Sequence, residues 1–111
     1  MANGQDISPD SLALRKLLDA NRGRISELTR GYGLRNVRVF GSVAQGAASE
    51  NSDVDLLIDD SRSFRGSLLA LSHLVGQLEE IIGRKVDLVF SDQIKENRRA
   101  FIDSSPQFTL C

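Results

Sequence analysis

The chain has 111 residues, 41% of them apolar and 26% charged, with a formal net charge of −1. That length allows one hydrophobic core but not two, and near-neutrality argues against broad, sequence-independent binding to nucleic acid, which needs a basic stripe. The one cysteine, Cys111, rules out an internal disulfide and fits a reducing compartment. No run is long enough to span a bilayer and the N-terminus is too polar for a signal peptide, so a soluble cytoplasmic domain covering residues 1–111 is expected.

Met1 to Ile7 reads as a flexible leader. Ser8 followed by Pro9 signals a helix start, with a capping hydroxyl and a proline at the first helical position. Leu12, Leu14, Leu17 and Leu18 form an apolar stripe at helical spacing, with Arg15, Lys16 and Asp19 outside. Asn21 and Gly23 break or bend this helix. A second helical segment, with Ile25 and Leu28 inward, ends at Gly31 and Gly33. A strand over Val37 to Phe40 breaks at Gly41 and Ser42, and a short helix over Ser42 to Gln45 leads into a loop from Ala47 to Ser52. Ser52 fixes the approach to Asp53 through local hydrogen bonds.

A second apolar strand ends at Ile58. Asp59 and Asp60 lie past it and read as a solvated end. The longest helix is predicted over Gly66 to Ile82, its apolar face running from Leu68 and Leu69 to Ile81 and Ile82. His73, within it, has no second His or Cys at metal-ligand spacing and reads as a half-exposed structural residue. Gly83 ends the helix, Arg84 and Lys85 precede a third strand over Val86 to Phe90, and Ser91 and Asp92 can cap a last helix through Ile102. Pro106 stops that helix. The slightly apolar tail, 103–111, with Phe108, Leu110 and Cys111, either folds back on the domain or meets a partner.

The chemistry concentrates between Val37 and Ile58. Side chains alternate along a strand, so Val54, Leu56 and Ile58 share one face while Asp53, Asp55 and Leu57 share the other. Two carboxylates at that spacing have α-carbons roughly 7 Å apart and, bent inward, can share divalent cations. Without a cation or a proton, burying two like charges is costly. Gly41 lets the backbone turn tightly and approach a ligand, and Ser42 adds a hydroxyl beside it.

Together GSVAQG, SDVDLLI and KVDLV resemble the minimal nucleotidyltransferase family, the smallest form of the DNA-polymerase-β-like fold. The pattern is Gly-Ser, about ten residues, Asp-x-Asp between apolar neighbours and a third acidic residue on a later strand, matched here by Asp87. The resemblance implies a mixed α/β (α+β) fold, with a small three- to four-stranded mixed sheet packed with helices. It implies Asp53, Asp55 and Asp87 as catalytic and metal-binding residues, and Gly41, Ser42 and Gln45 as nucleotide-binding ones. Hard oxygen ligands favour two Mg²⁺ ions, or Mn²⁺, over zinc. ATP is the implied substrate.

Among family members the chain most resembles antitoxins paired with HEPN-domain toxins. That likeness implies transfer of AMP to a tyrosine of the toxin, with no direct nucleic-acid or membrane partner. One position departs from the pattern: Gln45 stands where the family usually has Arg. Gln offers hydrogen bonds but no permanent cation, so weaker handling of the nucleotide phosphates is expected. Arg84, Lys85, Lys95, Arg98 and Arg99 are the candidates to compensate. Gln45 and the apolar tail also motivate a second reading, a non-catalytic module that masks its partner sterically. A transferase for small molecules is disfavoured, because the chain has no room for a separate acceptor-binding domain.

Overall fold

The computed structural model describes residues 7–111. Apart from Ile7, the expected leader lies outside them. Helix α1 runs from Pro9 to Ala20, and the Ser8 hydroxyl accepts from the Ser11 N–H at 3.2 Å, as the helix-start signal predicts. Its inward face is Ser11, Leu14 and Leu18, all buried, while Leu12 is 45% exposed. Leu12 is thus not part of the stripe. The face is set at Ser11, Leu14 and Leu18, and one residue beyond Ser11 is a rotation of about 100° away. Asn21 ends α1, donating from its side chain to the Leu17 carbonyl at 2.9 Å. Helix α2, Arg22–Gly31, follows at once, with Ile25 and Thr29 buried.

Four strands form one mixed sheet in the order β3-β2-β1-β4: β1 Arg38–Phe40, β2 Val54–Ile58, β3 Val86–Phe90 and β4 Phe108–Thr109. Strand β1 is antiparallel to both β2 and β4, and β2 and β3 are parallel. Helix α3, Gly41–Gln45, leaves directly from the end of β1. Helix α4, Leu68–Ile82, makes the crossover that a parallel β2–β3 pair requires. The tail folds back on the domain. Besides β4, Leu110 donates its N–H to the Val37 carbonyl at 2.8 Å, and its side chain is fully buried.

Two termini differ from the sequence reading. Ser67 caps α4, accepting from the Ala70 N–H at 3.2 Å, so the helix starts two residues late and Leu68 and Leu69 stand 82% and 80% exposed. The first turn overhangs the core, and burial begins only with Leu71 and Leu74. Ser91 and Asp92 do not cap the last helix. They form a single 3₁₀ turn, and helix α5, Glu96–Ser104, starts after Lys95. The Asp92 carboxylate instead accepts from the Ser61 N–H at 3.1 Å and the Ser61 hydroxyl at 2.7 Å, tying together the two turns that follow β2 and β3.

The alternation along β2 gives the sheet two buried faces. Val39, Leu56 and Ile58 belong to the main core with Leu18, Ile25, Leu74 and Leu78 from α1, α2 and α4. Phe40 and Leu57 form a smaller cluster with Ile102 of α5, flanked by Val89 and Ile94. Helix α5 therefore covers the face that carries Asp55. Replacing the fully buried Leu56 by Ala is expected to cost ~2–5 kcal/mol in urea unfolding, against ~0.5 kcal/mol or less for Leu68→Ala.

Candidate active site

The register of the sheet builds the site. Asp55 on β2 pairs with Phe40 on β1 and with Asp87 on β3. Residues paired across a ladder share a face, so the two carboxylates project side by side from strands about 4.8 Å apart. Asp53 lies one residue before β2 and, by alternation, on the same side. Phe40 hands the chain to Gly41, whose φ of +72° is left-handed. A methyl group on Gly41 would stand 2.1 Å from Asp55 Oδ2. Only a bare α-carbon fits against that carboxylate. Ser42 is half-buried in the first turn of α3, and Gln45 is exposed at its end. Gly41 and the three aspartates are thus brought to one end of the sheet.

Burial, then the charges of Asp87 and Asp53, push the Asp55 carboxyl up to about 6, and the Arg98 guanidinium pulls the other way. The donor set fits a hard divalent cation: oxygens only, with like charges whose repulsion a cation relieves. Among the described residues, no three His, Cys, Asp or Glu side chains converge at ligand distance as placed. Asp53 and Asp87 are exposed and make no side-chain hydrogen bond among those residues, so both are free to swing toward Asp55.

The connection between the glycine turn and the aspartates is fastened from outside. Arg15, expected on the outer face of α1, donates to the carbonyls of Val43 at 3.0 Å and Ala44 at 2.9 Å. The Ser8 hydroxyl donates to the Ala48 carbonyl at 2.7 Å, and the Ser11 hydroxyl accepts from the Ala48 N–H at 2.8 Å. Arg84 donates to the carbonyls of Ser52 at 2.8 Å and Ser49 at 3.1 Å. The Ser52 hydroxyl accepts from the Ser49 N–H at 2.8 Å, the local bond expected of it. The sequence carried no signal for Arg15 or Ser11, because long-range bonds to carbonyls leave no spacing.

Of the cations proposed to compensate for Gln45, Arg84 holds the loop and Arg99 donates to the Ser91 carbonyl. Arg98 lines a cleft of about 120 Å³ together with Gly41, Gln45 and Phe101. Asp59 and Asp60 are more than a solvated end: Asp59 pairs with Arg38, and Asp60 accepts from the Arg62 backbone and side chain. His73 is exposed on α4.

A sequence profile for the nucleotidyltransferase domain matches residues 22–107. The chain belongs to that family. It is 42% identical over 69 residues to a protein adenylyltransferase, MntA, of Thermococcus cleftensis, covering 62% of this chain and 68% of that one. A solved structure described as a minimal nucleotidyltransferase is 35% identical, with a TM-score of 0.68 over 84% of this chain and 92% of the other. A toxin–antitoxin crystallised with AMP-PNP shares the fold at 24% identity, with a TM-score of 0.64 over 82% of this chain and 73% of that one. The family, the mixed four-stranded fold and nucleotidyl transfer as the class of activity agree with the sequence reading.

Two outcomes test this arrangement. Gly41→Ala is expected to lower stability more than Gly83→Ala in parallel unfolding curves. Both glycines have φ near +75°, but nothing lies within 4 Å of a methyl on Gly83. The left-handed backbone alone costs ~1–2 kcal/mol, and the Gly41 variant adds the collision. The second outcome concerns pH. In the metal-free protein Asp55 binds its proton more tightly folded than unfolded, so its contribution to stability is full below pH 4 and is lost as pH rises through about 6. Thermal melts should show Asp55→Asn gaining on wild type across that window.

Proposed function

We propose that this nucleotidyltransferase moves AMP from ATP onto a protein hydroxyl, a tyrosine of a HEPN-type toxin, and so serves as its antitoxin in the cytoplasm. The observation that carries the proposal is the pairing of Asp55 with Asp87 directly against the bare α-carbon of Gly41. Negative groups gathered where the backbone can approach closely suit a cation-bridged phosphate and little else. The Thermococcus relative is a protein adenylyltransferase, and a structural neighbour is a toxin–antitoxin crystallised with AMP-PNP, which supports the choice of donor and acceptor. Openness supports a macromolecular acceptor: Asp53 and Asp87 are exposed, and β3 is an edge strand that a protein side chain can reach.

Asp53, Asp55 and Asp87 would hold Mg²⁺, with Mn²⁺ as a substitute. When bound, such ions polarise the α-phosphate and make the acceptor hydroxyl more acidic. Gly41 brings its backbone close to the phosphates, while Ser42 and Gln45 supply hydrogen bonds to them. Asp87, on the exposed side of the pair, would take the acceptor proton. The acceptor oxygen bonds to the α-phosphorus as the bond to the bridging oxygen breaks, and pyrophosphate leaves. The competing reading, a mask that works without chemistry, loses one of its motives, since the tail it invoked pairs with β1 as β4.

Incubation with ATP, Mg²⁺ and a HEPN-type toxin should add one AMP to that partner, read by intact mass. Asp55→Ala should abolish the addition, and Asp87→Asn should slow it by roughly 10²–10⁴-fold as a lost proton acceptor. Equal labelling with Asp55→Ala would overturn the proposal, and protection of cells from the partner by that same variant would favour steric masking.

A further inference from the structure

We propose that Arg98 of α5 binds the nucleotide phosphates, supplying from a separate helix the cation that Gln45 does not provide at the glycine turn. This rests on the nucleotidyl-transfer reading and assigns a residue to it. Transfer to an acceptor places a triphosphate against three carboxylates. Beyond what divalent ions neutralise, its remaining charge needs a fixed donor, and Gln45 carries none. The cleft beside Gly41 holds Gln45, Arg98, Phe101 and Ser105 among its lining and measures about 120 Å³. Ligand pockets run to roughly 300–1,000 Å³, so this one suits part of a nucleotide, such as its phosphates.

Three observations single out Arg98. It is the basic residue in that cleft. It shares that cleft with Gly41, whose α-carbon abuts the Asp55 carboxylate. Its guanidinium also makes no hydrogen bond or ion pair among the described residues, whereas Arg15, Arg84 and Arg99 are each engaged with backbone carbonyls. Ile102, one turn further along α5, is buried against Phe40 and Leu57. Residues 98 and 102 lie on the same side of a helix, so the anchor that fixes α5 also fixes the approach of Arg98.

Binding of Mg²⁺-ATP, measured by calorimetric titration with inorganic pyrophosphate as competitor, tests the assignment. Losing a charge-assisted contact to phosphate should weaken ATP binding by roughly 10- to 100-fold in Arg98→Ala, with competition by pyrophosphate weakened by a similar factor. Arg98→Lys should fall between the two. Adding Gln45→Arg to Arg98→Ala should restore affinity, since it returns a cation to the same cleft. Melting temperature should not move, because the Arg98 side chain is exposed and makes no hydrogen bond or ion pair among the described residues. Wild-type affinity in Arg98→Ala, or weaker ATP binding with unchanged pyrophosphate competition, overturns the inference while the transferase reading stands. Failure of the wild-type protein to bind ATP overturns both.

Discussion

The structure depends on one ladder, the parallel pairing of β2 with β3. It sets Asp55 opposite Asp87, and the same register sets Val54 opposite Val86 and Leu56 opposite Leu88 on the other face. A shift by one residue would exchange the faces, sending the carboxylates into the main core and Leu56 and Ile58 out of it. The large apolar area buried by those residues therefore locks the position of the small polar group. Hydrophobic burial does not perform the chemistry, but it leaves the aspartates nowhere else to be.

This lock has a cost that the rest of the fold absorbs. Asp55 sits on the same face as Phe40 and Leu57, at the margin of an apolar cluster closed by Ile102. Burial is the largest cause of its raised proton affinity, ahead of the neighbouring charges. In a fold without a function such a position would hold an apolar residue. The turn and the loop beside it are tied down by hydrogen bonds. Arg15 saturates carbonyls at the end of α3, and Ser8, Ser11 and Arg84 tether the loop that returns to Asp53. The connection between two functional segments is thus hydrogen-bonded to α1 and to Arg84 along its length.

Much of this was legible in the sequence, for a reason that separates the readable parts from the rest. The face of β2, the bounds of β3, the Gly83 stop and the glycine–serine turn follow from periodicity or from what a single residue permits. These are local rules. Helical spacing alone puts Leu12, Leu68 and Leu69 in the core, yet Leu12 is turned away from the buried face of α1, and Leu68 and Leu69 lie in a first turn that overhangs the core. The tail was undecidable because β4 exists only through partners at Arg38 and Val39, some seventy residues away. Ser91 and Asp92 resembled a cap because their chemistry suits one, but Ser61 claimed Asp92 first. Each miss is a case of tertiary partners overriding a local preference.

The same distinction bears on Gln45, where the sequence resemblance expects an arginine. Read along the chain, a missing arginine in the glycine–serine motif weakens the case for phosphate handling. Read in space, the end of α3 and the middle of α5 border one cleft, and a positive charge can enter it from either. An arginine arriving from α5 is tied to the packing of Ile102 against Phe40 and Leu57, the residue pair that flanks Asp55. Charge, carboxylates and apolar anchor are then parts of a single layer. On the proposed reading the cation of such a site can come from either helix, whereas the register beneath it has no substitute.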